Sequence, residues 1–283
     1  MFNKNHSFKT EQQQRKDRII RFLIAIICSA VIFLIFSLVY IIVGDLSGGS
    51  DKEITETSVE YTVEIKDQSG VKNLMLFCTS NDKSSMRFLS VVQINFDDNT
   101  YTICSFSPNE MVNAGGTFAS FFEHYQSGGA KQLQTALETL NGIAIDKYIG
   151  STDKGFKNAI NSMGPLILSF DEQISYRSED FSIVFIEGEQ KVRGDDLLKY
   201  LRYCGALGDE GLLMQSQTIG IMFSQYINEK NVSRCDNLYS SLINVLSSDI
   251  SVLDFKKSKN IFRYLEATEF QTDCIDYFRV ISY

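Results

Sequence analysis

Histidine and cysteine, the residue types that most often perform chemistry, are few in this chain and form no known arrangement. The two histidines, His6 and His124, are far apart in the sequence. None of the six cysteines forms a CxxC pair, so the spacing of a zinc site is absent. His124 has no Ser, Cys or Asp at the spacing of a catalytic motif, and we interpret it as a structural or surface residue.

Two pairs of adjacent acids could also act in catalysis, Asp195 with Asp196 and Asp209 with Glu210. Neighbouring acidic residues usually mark the start of a helix or a solvated loop. We therefore assign these pairs no general acid or base role. No catalytic residue is predicted from these groups.

Cysteine pairing is left open by the sequence. Five cysteines follow the apolar N-terminal segment, and an odd number leaves at least one of them without an intramolecular disulfide. A bridge between Cys78 and Cys104, or between Cys235 and Cys274, is compatible with these positions. Because no regular disulfide framework is evident, we expect a domain held together by its hydrophobic core.

The elements that must position any site can be read from hydrophobic spacing. Residues 71–77, 88–96 and 101–106 are rich in β-branched and aromatic residues, which predicts three strands. The turn formed by residues 97–99 separates the last two strands and predicts a hairpin. A helix is then predicted from Gly128-Gly129 to a C-cap at Gly142.

Strands and helices alternate in the rest of the chain. The predicted elements are a strand at 144–149, a helix containing Phe156, Ile160 and Met163, a strand at 182–186, a helix containing Leu197, Leu198 and Leu201, a long helix from near Leu213, helices at 238–246 and 253–265, and a terminal strand at 275–280. A capping-box-like pair, Ser251 and Asp254, precedes the last helix. This order predicts a sheet with helices on both faces.

An apolar segment at residues 22–43 contains no Asp, Glu, Lys or Arg across 22 positions. This length suits a membrane-spanning helix, which needs about 20 apolar residues, and exceeds the apolar core of about 7–15 in a cleavable signal peptide. Six basic residues precede the segment and acidic residues follow it, so we expect the N-terminus in the cytoplasm. A buried helix of a soluble domain is the alternative, which the length and the asymmetric flanks disfavour.

The predicted organisation is therefore a cytoplasmic tail at 1–21, a transmembrane helix at 22–43, a linker at 44–60 and an extracytoplasmic domain at 61–283. Six of the 27 basic and two of the 35 acidic residues precede the linker, which leaves 21 basic and 33 acidic residues, a net charge of −12. An acidic domain of this kind has no electrostatic attraction for phosphate backbones, so we expect no nucleic-acid partner.

Three motifs in the predicted domain resemble those of the LytR-CpsA-Psr proteins, also called cell envelope-related transcriptional attenuators. Gly142-Ile-Ala-Ile-Asp-Lys-Tyr148 is similar to the family's G-I-P-I-D-x-Y. Val192-x-Gly194-x-x-x-Leu198-x-Tyr200-x-Arg202 is similar to its L-x-G-x-x-A-L-x-Y-x-R. Gly208-Asp209-Glu210-Gly211, with Gln217, lies where the family has G-D-x-G-R-x-x-R-Q-Q.

The resemblance implies an α/β fold, an α/β/α sandwich with a central mixed sheet, preceded by one transmembrane helix. It implies a place in the cell membrane of a Gram-positive envelope and a role in cell-wall biogenesis. Family members are taken to transfer glycopolymers from a polyprenyl pyrophosphate carrier to peptidoglycan. That phosphoryl transfer uses carboxylates that hold Mg²⁺ and several arginines that neutralise the pyrophosphate.

The positions of the family's metal ligands carry no carboxylate in this chain. Ser80 stands for the Asp of the L-L-G-x-D-x-R motif, Arg87 for the Asp of R-S-D-T, and Asn109 for the Asp of S-I-P-R-D. Mg²⁺ prefers carboxylate and other hard oxygen ligands. We therefore expect no Mg²⁺ cofactor and no bound metal.

The family's arginine positions are also mostly changed. Arg202 is kept, but Cys204, Leu212 and Gln215 occupy other arginine positions. We therefore favour a degenerate member that lacks the family's transferase chemistry. One hypothesis is that Arg87 and Arg202 bind a phosphate together without a metal; the alternative is that Arg87 is solvated or acid-paired and Arg202 is a snorkelling helix residue.

A lipid pocket is a second hypothesis, because apolar side chains cluster on two segments near these motifs. Its candidate residues are Phe118, Phe121, Phe122, Met214, Ile221 and Met222. Ordinary core packing is the alternative explanation for residues at such spacing.

Three functions remain open at this stage. The chain is either a membrane protein that binds polyprenyl-linked glycan, peptidoglycan or an active family partner, or an active transferase that uses the substituted residues, or a regulatory protein. A regulatory role would need a separate partner, since the predicted tail of 21 residues is too short to fold into a DNA-binding module.

Overall fold

The computed structural model describes residues 68–275. The predicted transmembrane segment at 22–43 and residues 276–280 of the predicted terminal strand lie outside this range. No helix within residues 68–275 is long and apolar enough to cross a bilayer.

Twelve strands and seven helices form the described part of the chain. The strands are β1 (Val71–Thr79), β2 (Met86–Asn95), β3 (Thr100–Phe106), β4 (Met111–Ala114), β5 (Thr117–Ser120), β6 (Lys147–Thr152), β7 (Leu166–Phe170), β8 (Ile174–Arg177), β9 (Ser182–Phe185), β10 (Gly188–Val192), β11 (Leu246–Ser248) and β12 (Gln271–Cys274). The helices are α1 (Phe121–Asn141), α2 (Asp153–Met163), α3 (Gly194–Ala206), α4 (Asp209–Tyr226), α5 (Glu229–Ser233), α6 (Cys235–Leu242) and α7 (Val252–Ala267).

A six-stranded mixed sheet lies at the centre of the domain, with the strand order β11-β6-β1-β2-β3-β12. β1 pairs antiparallel with β2 and parallel with β6, and β12 adds to β3 in parallel. The hairpin of β2 and β3 turns at residues 97–99, where Asn99 adopts a positive φ of 52° that asparagine tolerates. The predicted hairpin and mixed sheet are confirmed.

Alternating side chains of the central strands pack against helices on opposite faces of the sheet. On one face Met75 and Phe77 of β1 pack with Leu133 and Leu137 of α1. On the other face the Cys78 side chain joins a core made by α2, α3 and the small strands β7 and β9. α4 covers the far end of that face, where Ser216 donates a hydrogen bond to Ser105. The α/β sheet with helices on both faces is confirmed.

The first helix is longer than predicted. It begins at Phe121 rather than at the glycine pair, because Ser120 and Glu123 form a capping box around its first turn. Gly128 and Gly129 lie inside it and kink it with non-helical backbone angles. Its predicted C-cap is confirmed, since Gly142 adopts a left-handed conformation with φ of 63°.

Several other boundaries differ from the prediction. The strand expected at 144–149 is β6, three residues later, and α4 begins at Asp209 instead of near Leu213. The helix expected at 238–246 ends at Leu242 and is followed by β11. The terminal strand expected at 275–280 is preceded by the unpredicted β12, and Ile275 lies just beyond that strand. The capping box of Ser251 and Asp254 at α7 is confirmed.

Neither of the two disulfides considered from the sequence is formed. Cys78 and Cys104 are buried on opposite faces of the central sheet, so their side chains point away from each other. Burial raises the pKa of the Cys78 thiol to about 12. Cys235 and Cys274 are also thiols. The hydrophobic core, rather than disulfides between these pairs, holds the domain together.

α3 and α4 approach each other closely at Gly211, and this contact is testable. A Cβ atom at Gly211 would overlap the Cys204 carbonyl oxygen of α3. We expect Gly211→Ala to lower the free energy of unfolding by about 3 kcal/mol, because two helix backbones would have to separate. Urea denaturation measures the effect.

Gly205→Ala on α3 is the matched control for this substitution. Its Cβ would lie 3.5 Å from the Gln215 Nε2 atom, an ordinary van der Waals distance. The alanine also favours the helix, so stability should stay the same or rise slightly. Equal stabilities of the two variants would contradict the close α3–α4 contact.

Candidate functional site

A cavity of about 420 Å³ opens where the loops at one edge of the sheet meet α3 and α4. Six stretches of chain converge on it. Its lining residues are Ser84, Ser85, Met86 and Arg87 around the start of β2, Ser107, Pro108 and Asn109 after β3, Phe122 of α1, Phe181 of the β8–β9 loop, Arg202, Gly205 and Ala206 of α3, and Leu212 and Gln215 of α4.

Four of the six positions at which the motif resemblance indicates a changed charge line this cavity. Arg87 and Asn109, two of the three substituted metal-ligand positions, line it. Arg202, the retained arginine, lines it from α3, and Leu212 and Gln215 line it from α4. The structure therefore brings together five positions named from the sequence, which are spread over more than a hundred residues of chain.

Ser80, the third metal-ligand position, is used within a tight turn and does not line the cavity. It is buried, and its Oγ donates to the Asp82 Oδ1 atom at 2.6 Å. The Ser85 backbone N–H donates to the same Oγ at 3.1 Å. Hydrogen bonds from Ser80 and then from Ser84 lower the pKa of Asp82 to about 2. Ser80 thus stabilises the β1–β2 turn.

Arg87 forms a two-point ion pair with Asp153 at the edge of the sheet. Its Nε and Nη2 atoms donate to the two carboxylate oxygens, each at 3.0 Å. Asp153 is the first residue of α2, directly after the N-cap Thr152. The hydrogen bonds to Asp153 are the main reason that the pKa of Arg87 is raised. Arg87 is therefore acid-paired, as the alternative interpretation expected, and it also lines the cavity.

Arg202 is held by residues of the β8–β9 loop. Its Nη2 atom donates to the Asp180 carboxylate, and its guanidinium lies over the Phe181 ring at 4.1 Å from the ring centroid. The hydrogen bond from Arg202 is the largest cause of a lowered Asp180 pKa. Its side chain is 16% exposed, so it is a cavity residue rather than a snorkelling surface residue.

Gln215 stands at a family arginine position and is almost completely buried. Its Nε2 atom donates to the Leu201 carbonyl oxygen at 2.9 Å, which ties α4 to α3. Its Oε1 atom is one of two buried side-chain polar atoms without a hydrogen-bond partner in the described part of the chain. The amide therefore contributes no positive charge to the cavity.

The cavity does not fit a Mg²⁺ ion. None of its lining residues is Asp or Glu, and the three positions that carry the family's metal ligands are a serine, an arginine and an asparagine. Asp153, the carboxylate nearest to Arg87, already accepts two hydrogen bonds from that cation. Within residues 68–275, no three His, Cys, Asp or Glu side chains form a group that could hold a metal.

The six lipid-pocket candidates do not come together. Phe122 lines the cavity, whereas Phe121 is fully buried in the α1 core and contacts Phe106 edge to face. Phe118 is 68% exposed on β5. The α4 candidates pack half-buried against the core on the other face of the sheet, and these are Met214, Ile221 and Met222. Only Phe122 is positioned to touch a ligand in this cavity.

The residues that hold the two arginines were not predicted from the sequence, and these are Asp153, Asp180 and Phe181. Asp153 lies in the first turn of the helix that contains Phe156, where an acid is ordinary, so no signal distinguished it. Asp180 and Phe181 lie in the loop before the predicted strand at 182–186. Arg202, 22 residues from Asp180, is the only sequence feature that could have suggested a nearby carboxylate.

The role of Ser80 in its turn can be tested by titration. We expect Ser80→Ala to raise the Asp82 pKa from about 2 towards the ordinary value of 3.8, because the largest stabilising hydrogen bond to the carboxylate is lost. A lowered pKa stabilises the folded state above about pH 4, and this contribution disappears as the pH falls through 2. NMR titration of the Asp82 carboxyl measures the change. Ser84→Ala is the control and should give a smaller rise, and a larger rise would overturn this assignment.

Comparisons with known proteins relate the chain to one family. The LytR_cpsA_psr family model matches residues 53–277. The polyisoprenyl-teichoic acid–peptidoglycan teichoic acid transferase TagV of Bacillus subtilis (strain 168) is 25% identical over 189 residues, which cover 63% of this chain and 48% of TagV. The chain thus spans about half the length of this curated relative.

Solved structures share the fold. The crystal structure of B. subtilis TagV has a TM-score of 0.59 at 19% identity, covering 74% of this chain and 85% of that one. A putative transcription regulator from Eubacterium siraeum DSM 15702 has a TM-score of 0.64 at 17% identity, covering 81% and 93%. TagT bound to LI-WTA has a TM-score of 0.56 at 16% identity, covering 81% and 87%. Because the family model matches most of the sequence, this chain belongs to the LytR_cpsA_psr family.

Proposed function

We propose that this chain is a membrane-anchored, extracytoplasmic protein of cell-wall glycopolymer biogenesis that binds a polyprenyl-linked glycan without transferring it. The observation that carries the proposal is the cavity of about 420 Å³ in which Arg87 and Arg202 lie beside apolar and hydroxyl-bearing side chains. The guanidiniums suit a phosphate group, which they can bind through several parallel hydrogen bonds. The name of TagV and the complex of TagT with LI-WTA agree with a glycan ligand of this class.

The two ends of such a ligand match different parts of the cavity wall. Phe122, Phe181 and Leu212 offer apolar surface to the first isoprene units, whereas Ser84, Ser107 and Asn109 offer hydrogen bonds to a phosphate or a sugar. The apolar segment at 22–43 would hold this cavity at the membrane surface, where a polyprenyl carrier resides. The membrane anchor and the extracytoplasmic location are parts of the proposal.

Loss of transfer is supported by the charges at the cavity. Transfer of a phosphoryl group needs cations that neutralise the pyrophosphate as the bond breaks. The lining contains two cations and no carboxylate, and each of the two cations is paired with an acid just outside it. Leu212 and Gln215 are uncharged. This arrangement can hold an anion but supplies little stabilisation to a transition state with more negative charge.

The binding proposal predicts that both arginines are needed for affinity. We expect the double variant Arg87→Ala, Arg202→Ala to bind geranylgeranyl monophosphate at least about tenfold more weakly, because two charged hydrogen-bond donors are removed. Isothermal titration calorimetry of the full chain in detergent micelles measures the affinity. Adding EDTA should leave the affinity of the unaltered protein within about twofold, since no metal takes part.

Arg263→Ala provides the control, because Arg263 is exposed on α7 and its replacement removes a positive charge away from the cavity. Its affinity should stay within about twofold of the unaltered protein. Unchanged affinity in the double variant, or an equal loss in the control, would refute phosphate binding at this cavity.

Active transfer is a second candidate function, favoured by the name of the curated relative TagV. The cavity charges predict that the purified chain shows no Mg²⁺-dependent release of phosphate from a polyprenyl-pyrophosphate-linked glycan and no transfer to peptidoglycan. TagV, assayed in parallel with the same substrate, serves as the reference. Turnover by this chain that rises with added Mg²⁺ would support the second candidate and contradict the first.

A further inference from the structure

We infer that Asp180 is a specificity-determining residue: it occupies Arg202 as an internal anion and restricts the cavity to ligands that carry a single phosphate group. This inference rests on the proposed function and adds a substrate class, a polyprenyl monophosphate or phosphodiester rather than a pyrophosphate. The inference follows from the unequal strength with which the two arginines are held.

The Arg87 ion pair is firmly held. Both of its partners are mostly buried, with the Arg87 and Asp153 side chains 18% and 15% exposed. Two parallel hydrogen bonds of 3.0 Å join them, and Asp153 is fixed at the start of a helix. Separating such a pair would leave a poorly solvated charge on each side, which is costly. Arg87 therefore keeps Asp153 when a ligand arrives and offers only the N–H groups that do not face that carboxylate.

The Arg202 ion pair is much easier to exchange. The Arg202 side chain is 16% exposed, but that of Asp180 is 59% exposed and lies on a loop. A single donor atom of Arg202 contacts the carboxylate. Ion pairs with one solvated partner contribute little free energy, so a phosphate can replace the Asp180 carboxylate at Arg202.

The loop that carries Asp180 is itself well ordered by hydrogen bonds. The Ser178 N–H donates to the Phe181 carbonyl at 2.9 Å, and the Ser178 Oγ donates to the Asp180 carboxylate at 2.9 Å. Phe181 packs against the Arg202 guanidinium from the same loop. A rotation of the Asp180 side chain is thus sufficient to release Arg202, because Phe181 can keep the guanidinium in place.

The balance of charges then fixes the ligand class. Two guanidiniums and two carboxylates give the site no net charge, and the charge of Asp180 also contributes, after the hydrogen bonds to Asp153, to the raised pKa of Arg87. Displacing Asp180 from Arg202 makes one cation available, which suits one phosphate group. A second phosphate would face the Asp153 and Asp180 carboxylates without a cation of its own.

Neutralising Asp180 tests this inference. We expect Asp180→Asn to bind geranylgeranyl pyrophosphate about fivefold more tightly than the unaltered chain, with a smaller gain for geranylgeranyl monophosphate. The unaltered chain should bind the pyrophosphate no more tightly than the monophosphate. Calorimetric titration of the full chain in detergent micelles gives all four affinities. Asp180→Ala leaves no amide to contact Arg202 and should show the same change in affinity. Thermal melting verifies that each variant is folded.

Glu179→Gln is the matched control, because it removes one negative charge from the same exposed loop and leaves the Asp180 contact with Arg202 in place. Its affinities should match those of the unaltered chain. If both ligands bind and neither Asp180 variant gains affinity for the pyrophosphate, or if Glu179→Gln gains as much, the inference is wrong while the proposed function stands. If none of these proteins binds either ligand, the proposed function fails as well.

Discussion

The pairing register of β1 decides which side chains can meet at the cavity. β1 lies between β2 and β6, and its last residue, Thr79, pairs with Met86 on one side and with Thr152 on the other. The residues that follow these partners are Arg87 and Asp153, so the register itself brings cation and acid to the same edge of the sheet. A shift of β1 by one residue would move each of its side chains to the other face of the sheet. The buried side chains Phe77 and Cys78, which face opposite layers, prevent such a shift.

Two features define the rest of the site: the backbone scaffold and the charged side chains that it positions. The scaffold consists of the mixed sheet, the C-cap at Gly142 and the close contact of α3 with α4. Acids from α2 and the β8–β9 loop pair with the two arginines of the cavity. Under the proposed function, this member of the family keeps a cavity of suitable size without the electrostatic field that phosphoryl transfer requires.

Much of the fold could be predicted because its signals are local. The β2–β3 hairpin has its turn at residues 97–99, and Gly142 and Ser251 mark helix ends by their own conformational preferences. Seven short strands were missed, because three to five residues give too little periodicity, and these are β4, β5, β7, β8, β10, β11 and β12. The cavity positions on β2, α3 and α4 could be predicted from motif resemblance alone.

The acid partners of the arginines could not be predicted in the same way. Asp153 is 66 residues from Arg87 in the sequence. They meet because Arg87 lies on β2, Asp153 directly follows β6, and both of these strands pair with β1. The lipid-pocket candidates lie apart for a related reason. Phe121 and Phe122 are neighbours in sequence, but on a helix they point in directions about 100° apart, so one enters the core and the other the cavity.

The contact at Gly211 makes one wall of the cavity mechanically stiff. α3 and α4 touch through their backbones there, and the Gln215 amide holds the Leu201 carbonyl oxygen a short distance away. The two helices must therefore move as one body, and they carry Arg202, Leu212 and Gln215 with them. The rest of the lining comes from the start of β2, from Phe122 of α1 and from loops, among them the β8–β9 loop with Phe181. Because the side chains of α3 and α4 keep a fixed spacing, any adjustment to ligands of different width falls to these other parts of the lining.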